Sequence, residues 1–135
     1  MTKTSLQIDQ FVPHSPSKVW RALTEPALLA KWWAAGDIAP VVGHTFTLDM
    51  GAFGHVPCRV LDVVSEERLV FTFTEDWTLT WTLSREGEGT RLHLEHAGFD
   101  LTNAKARHAF ERMGPGWRDE VLPRIAQVLD AAEAA

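Results

Sequence analysis

Few residues of this chain have side chains suited to chemistry, and two histidines come first. His93 and His96 lie three apart in a segment of alternating polar and apolar residues, so they point to opposite faces of a strand and form no metal-ligand pair. His96 shares its face with Leu92 and Leu94 and should point inward. There a neutral imidazole can hydrogen-bond a backbone group or a polar atom of a ligand, and a histidine satisfied within the core is the favoured interpretation. We predict no metal site and no cofactor.

Two further side chains have catalytic potential but lack the neighbours that catalysis needs. Asp62 lies between the apolar residues Leu61 and Val63 and would be a general base only if it projected into a cavity; a solvated aspartate is favoured. Cys58 has no basic group nearby in sequence to lower the pKa of its thiol, so we interpret it as a packing residue. As the single cysteine it forms no intrachain disulfide, and we expect a cytoplasmic location. We predict no catalytic residue.

The composition is unusual in its aromatic residues, with six tryptophans and seven phenylalanines but no tyrosine. Flat aromatic surface with few hydroxyl groups suits the binding of a small apolar ligand. The residues expected to line such a cavity are Phe46, Leu48, Phe71, Phe73, Trp77 and Trp81 from strands, with Met113 and Trp117 from the helical side. Residues at strand or helix spacing also build a solid core, and this alternative stays open.

Trp32 and Trp33 are expected at the entrance of the cavity. Adjacent residues on a helix point about 100° apart, so both cannot enter the same patch of core. One of them is expected to face an opening. A tryptophan half-buried against the sheet is an equally good interpretation.

The bulk properties exclude several classes of protein. The 135 residues are enough for one domain, and we predict a single domain over residues 1–135. The formal net charge is −5 and the basic residues are scattered, which argues against nucleic acid as a partner. Apolar runs end after a few residues, so no segment is expected to cross a membrane.

Local patterns predict the elements that must position these side chains. Alternation before Pro13 indicates a first strand, and Ser15-Pro16 and Glu25-Pro26 each begin a short helix. Period-two segments from residue 43 to 98 predict an antiparallel meander, of which residues 77–83 are the clearest strand.

The C-terminal part reads as helical. Asn103 can cap a helix that runs to Met113, and a break is expected at residues 114–116. The stripe of Trp117, Val121, Leu122, Ile125, Val128 and Leu129 then marks an amphipathic helix, with a kink expected at Pro123.

This order of elements is similar to that of the START-like, or SRPBCC, superfamily, which includes the birch-pollen allergens. The branch named after the heat-shock-protein-90 ATPase activator has motifs that resemble segments 19–24 (VWRALT), 67–71 (ERLVF) and 89–99 (GTRLHLEHAGF), with the pair Trp32 and Trp33. The resemblance covers almost the whole chain. It implies an α+β helix-grip fold, β-α-α-β6-α, in which a curved antiparallel sheet packs around a long C-terminal helix.

Three functions are compatible with these observations. The first is noncatalytic binding of a small hydrophobic molecule between the sheet and the C-terminal helix. The second is a cyclase- or dehydratase-like enzyme in which His96, with Asp62 or another carboxylate, moves protons on a polyketide-like substrate. The third, implied by the branch name alone, is a module that stimulates a chaperone ATPase. It ranks last, because the family's co-chaperones carry a separate N-terminal domain that is not in this sequence.

Overall fold

Seven antiparallel strands and four α-helices make up the described part of the chain, residues 3–134 of a computed structural model. The strands are β1 (Lys3–Val12), β2 (Ala35–Gly36), β3 (Thr45–Asp49), β4 (His55–Val64), β5 (Arg68–Phe73), β6 (Trp77–Glu86) and β7 (Gly89–Asp100). The helices are α1 (Pro16–Thr24), α2 (Pro26–Trp32), α3 (Ala104–Pro115) and α4 (Pro123–Ala134), with a 3₁₀ turn at Gly51–Phe53 and a π-helical segment at Gly116–Val121.

The strands form one sheet in the order β1-β7-β6-β5-β4-β3-β2. Strands β2 to β7 are a meander, and β1 pairs antiparallel with β7 across the opposite edge. One strand, two helices, six strands and a long helical C-terminus confirm the predicted helix-grip fold of the α+β class.

The two short helices begin where the sequence indicates. The side chain of Ser15 caps α1 by accepting a hydrogen bond from the backbone N–H of Lys18, and Pro16 takes the first helical position. Strand β2 was not predicted by the alternation of residues, since it has only two. It exists because Gly36 lies close to β3: a Cβ at this position would lie 2.4 Å from the carbonyl oxygen of Thr47.

The C-terminal helical region differs from the sequence-based expectation. The predicted break at residues 114–116 is wrong, because Pro115 and Gly116 keep right-handed helical dihedral angles. The irregularity comes directly afterwards as the π-helical segment, in which the N–H of Leu122 bonds the carbonyl of Trp117 at 3.0 Å. Pro123 is the first residue of α4, a position where a missing N–H is tolerated.

One face of the sheet packs against the C-terminal helical region and carries the core. In β6, Leu79, Trp81 and Leu83 are buried, whereas Thr82 is exposed on the other face, as the alternation predicts. We call the buried side the concave face. The turn before α4 contributes Leu122, which is fully buried, to the same core.

The antiparallel order brings three connections to one end of the sheet, which we call the turn end. These are the β3–β4, β5–β6 and β7–α3 connections. The β5–β6 connection contacts two of the strands at this end. The N–H of Thr74 bonds the carbonyl of Pro57 in β4 at 3.1 Å, and Gly98 of β7 packs on the carbonyl of Asp76.

Candidate functional site

The concave face holds a continuous group of aromatic rings that contact one another edge-on, tilted or stacked. We call it the aromatic cluster, and its members are Trp32, Trp33, Phe71, Phe73, Trp77, Trp81, His96 and Trp117. Trp33 lies near its centre, with ring centroids 5.1 Å from Trp117, 5.6 Å from Phe73 and 6.2 Å from Trp81. The side chains proposed from sequence as a cavity lining thus meet in one place.

The two neighbouring tryptophans have different environments. Trp32 is 1% exposed, and its indole N–H donates to the carbonyl of Ala22 at 2.8 Å, so it fixes α2 against α1. Trp33 is only half-buried and packs against the buried residues of the core. Trp33 is therefore the member of the pair that can border an entrance.

The remaining predicted lining residues lie at the cluster or beside it. Phe46 and Leu48 are buried on β3, and the Phe46 ring meets that of Phe71 edge-on at 5.4 Å. Met113 of α3 is half-buried against the same core. Whether any of these residues contacts a ligand stays a prediction.

The cluster is closely packed in this conformation. Two surface depressions lie elsewhere on the described chain: one of about 340 Å³ beside Ser5 and Glu95, and one of about 180 Å³ between Lys18 and Leu129. The rings of the cluster thus contact one another, as the solid-core interpretation expects. A ligand would enter this interior only if part of it moved.

His96 points inward and is fully buried, as the alternation predicts. Its Nδ1 accepts a hydrogen bond of 3.1 Å from the indole N–H of Trp117. Burial lowers the pKa of His96 from 6.5 to about 3, so the ring is neutral at physiological pH. Because Nδ1 is the acceptor, the single ring proton belongs on Nε2.

Two N–H groups of the cluster are buried without an acceptor among residues 3–134: Nε2 of His96 and Nε1 of Trp81. We call them the donor pair. Trp81 is opposite Leu94 in the β6–β7 ladder and His96 is opposite Leu79, so the two side chains are diagonal neighbours on the concave face. Side chains in this relation have Cα atoms about 7–8 Å apart, within reach of one small molecule.

Phe99 is a member of this environment that the alternation of residues could not identify. His96 and Phe99 are three apart, yet their rings lie 4.6 Å apart on the same face. The cause is a bulge: Thr4 pairs with Phe99 and Ser5 with Ala97, leaving Gly98 unpaired at φ +106°. Gly98 within the segment 89–99 was the sequence signal for this bulge, since a glycine within a strand often marks one.

The other candidates for chemistry lie away from the cluster. Asp62 follows a second bulge and accepts a hydrogen bond from Arg68 at 2.7 Å, with both side chains nearly half exposed. His93 lies on the outer face, where its ring nitrogens contact Asp9 and Gln7. Burial raises the pKa of Cys58 to about 12, which makes it a poor nucleophile.

Across residues 3–134, no three side chains of histidine, cysteine, aspartate or glutamate come together as a metal site. None of the described helices is long and apolar enough to cross a membrane.

Known structures share this fold over nearly the full chain. Protein MLL2253 from Mesorhizobium loti is 30% identical, with a TM-score of 0.83 over 94% of this chain and 97% of its own. Protein BH1534 from Bacillus halodurans is also 30% identical, with a TM-score of 0.82 over 96% and 99%. DynU16, from the dynemicin biosynthetic locus, is 22% identical with a TM-score of 0.79; the match covers 95% of this chain and 48% of DynU16, and it shows the fold alone.

No curated protein matches the sequence significantly. The family model for "Activator of Hsp90 ATPase homolog 1-like protein" matches residues 13–130, which include both short helices, the strands from β2 onward and most of α4. The chain therefore belongs to the family of activator of Hsp90 ATPase homolog 1-like proteins, within the SRPBCC superfamily, whose fold commonly binds hydrophobic ligands.

Proposed function

We propose that this protein binds a small hydrophobic molecule between the concave face of the sheet and the C-terminal helical region. The observation that carries the proposal is the donor pair, Trp81 Nε1–H and His96 Nε2–H, two polar groups that are buried within an apolar face. Binding hydrophobic ligands is common in this fold family, which supports the same interpretation.

The donor pair makes this interior less stable than an ordinary apolar core. A buried donor left without a partner costs about 1–3 kcal/mol, so two of them remove a sizeable part of a small domain's stability. Phenylalanine at position 81 and leucine at position 96 would fill similar space without that cost. The cost is offset if a ligand supplies the missing acceptors.

Access to the interior is proposed at the turn end. Two half-buried side chains pack against the core there. They are Met50, which follows β3, and Trp77, the first residue of β6. Met50 and Met113 are flexible and repack easily around an entering molecule. Helix α3, all of which is described, buries none of its residues, and the π-helical segment after it is a suitable hinge.

The arrangement favours binding over proton transfer. In His96 the Nδ1 lone pair is already used by Trp117, and the low pKa leaves Nε2–H as a donor that does not ionise near neutral pH. Asp62, the carboxylate that a cyclase-like mechanism needs, pairs with Arg68 on the other side of the sheet. We therefore propose a binding protein. A location in the cytoplasm is proposed separately, from the single cysteine.

The proposal is tested by titrating the ¹⁵N-labelled protein with indane, a flat apolar molecule of nine carbon atoms. At the ligand efficiency of small molecules we expect saturable one-to-one binding with a Kd of about 0.1–1 mM. The expected readout is a change in the indole N–H resonances of Trp33 and Trp81, which lie in the cluster. Non-saturable behaviour would refute the proposal.

A matched control separates the interior from the surface. Phe53 is 88% exposed in the β3–β4 connection, more than any other large hydrophobic residue within residues 3–134. The variant Phe53→Ser should leave the affinity for indane unchanged. If it abolishes binding, indane binds at the surface and the proposed site is wrong.

A further inference from the structure

We propose that the ligand of this site is a neutral molecule that carries a carbonyl-type oxygen on a flat apolar ring system, held by the donor pair of Trp81 and His96. This inference rests on the proposed function and specifies the chemistry that the site recognises. It follows from three properties of the site: its hydrogen-bonding sense, its charge and its shape.

The hydrogen-bonding sense is that of two donors. The indole nitrogen of Trp81 can only donate. Nε2 of His96 also donates, because Trp117 holds the proton off Nδ1 through its own N–H at 3.1 Å. A carbonyl oxygen has two lone pairs and only accepts, which suits a site of unpartnered donors, whereas a hydroxyl group also brings a donor that needs an acceptor of its own.

The charge of the site excludes an ionised ligand. The buried polar side chains within the described range are those of His14, Thr24, Thr90 and His96. Thr24 donates to the carbonyl of Trp20, and Thr90 donates to that of His14, so both are already satisfied. The ring of His14 contacts the carboxylate of Asp130 at 2.7 Å and is also already paired. A buried carboxylate or phosphate needs a compensating cation, and a neutral His96 supplies none.

The shape of the site selects flat molecules. The ring of Trp33 lies within 28° of the plane of Phe71, at 6.3 Å, and the ring of Trp77 lies within 18° of Phe73, at 6.1 Å. These rings stack on each other in this conformation, and an aromatic ligand can stack on the same faces once the rings move apart. The donor pair then sets which edge of that ligand carries the oxygen.

The test compares indane with 1-indanone, which differ by replacement of one CH₂ group with a carbonyl. The quantity measured is the ratio of the two dissociation constants, Kd of indane over Kd of 1-indanone, by titration of the ¹⁵N-labelled protein. The variant Trp81→Phe removes one donor and should lower this ratio about 3–10-fold, the effect of one hydrogen bond. Trp20→Phe makes the same change in a buried tryptophan of α1 outside the aromatic cluster and should leave the ratio unchanged.

A second measurement uses the unmodified protein, in case Trp81→Phe fails to fold. In the wild type, 1-indanone should move the Nε1–H proton of Trp81 and the Nε2–H proton of His96 downfield, and indane should not. Indane-1-carboxylate, an anion of similar shape, should bind at least tenfold more weakly than 1-indanone.

The outcomes separate the two proposals. If neither indane nor 1-indanone binds saturably, the proposed function fails and the carbonyl inference fails with it. If both bind but the ratio is the same in wild type and Trp81→Phe, only the carbonyl inference is wrong. A carboxylate that binds more tightly than the ketone also overturns the inference, since it shows that the site prefers an anion.

Discussion

The hydrogen bond between Trp117 and His96 should be a major contributor to stability, and Trp117→Phe tests it. The substitution removes the N–H that His96 Nδ1 accepts at 3.1 Å in a fully buried environment. Leaving a buried acceptor without a partner costs about 1–3 kcal/mol. The smaller ring also buries about 40 Å² less apolar surface, which costs about 1 kcal/mol more. We expect the free energy of unfolding to fall by about 2–4 kcal/mol.

The assay is urea unfolding followed by far-ultraviolet circular dichroism, which does not depend on tryptophan fluorescence. The control is Trp33→Phe, which makes the same change in a half-buried ring and should cost about 1 kcal/mol or less. A double-mutant cycle of Trp117→Phe with His96→Phe should give a coupling energy of about 1 kcal/mol. Additive effects in that cycle would refute the role assigned to this hydrogen bond.

Three further predictions concern other groups of the same core. Because burial lowers the pKa of His96 to about 3 in the folded protein, the unfolded chain takes up a proton as the pH falls below 6.5 while the folded chain does not. The free energy of unfolding should therefore fall by about 1.4 kcal/mol per pH unit between about pH 6 and about pH 3, and His96→Phe should lose this component; equal slopes would contradict it. Gly98→Ala should destabilise the fold by at least about 2 kcal/mol, since Gly98 has φ +106° and the added Cβ would lie 2.2 Å from the carbonyl oxygen of Asp76. Gly87→Ala, at φ +61° with open space around it, should cost about 1–2 kcal/mol, and an equal loss in both variants would count against the close contact. Cys58, whose pKa burial raises to about 12, should resist a thiol reagent at pH 8 until urea is added; rapid reaction of the native protein would contradict its inert role.

Most of the fold follows from local patterns in the sequence. The caps and prolines at Ser15-Pro16 and Glu25-Pro26 mark the helix starts, and the alternation in residues 77–83 identifies a strand with one buried face. These signals are local and strong. The length of α3 was less predictable, because Gly114 and Pro115 favour a helix end, yet the helix continues through them and the N–H of Gly116 still bonds the carbonyls of Arg112 and Met113.

The candidate site was predictable as a collection of side chains but not as an arrangement. Alternation placed Trp81 and His96 on the concave face, and the structure agrees. The partner of His96 was not predictable, because Trp117 is 21 residues away and reaches it through a π-helical turn. Phe99 was missed since a bulge at Gly98 shifts the alternation by one residue.

We propose that a small molecule enters the packed interior between the sheet and the C-terminal helix. The most direct test is the detection of intermolecular nuclear Overhauser effects between 1-indanone and the ¹³C,¹⁵N-labelled protein. We predict effects from the ligand ring protons to the side chains of Trp33, Trp81 and His96, which meet in the aromatic cluster. Effects confined to exposed residues such as Phe53, with the interior resonances unchanged at saturation, would contradict the account.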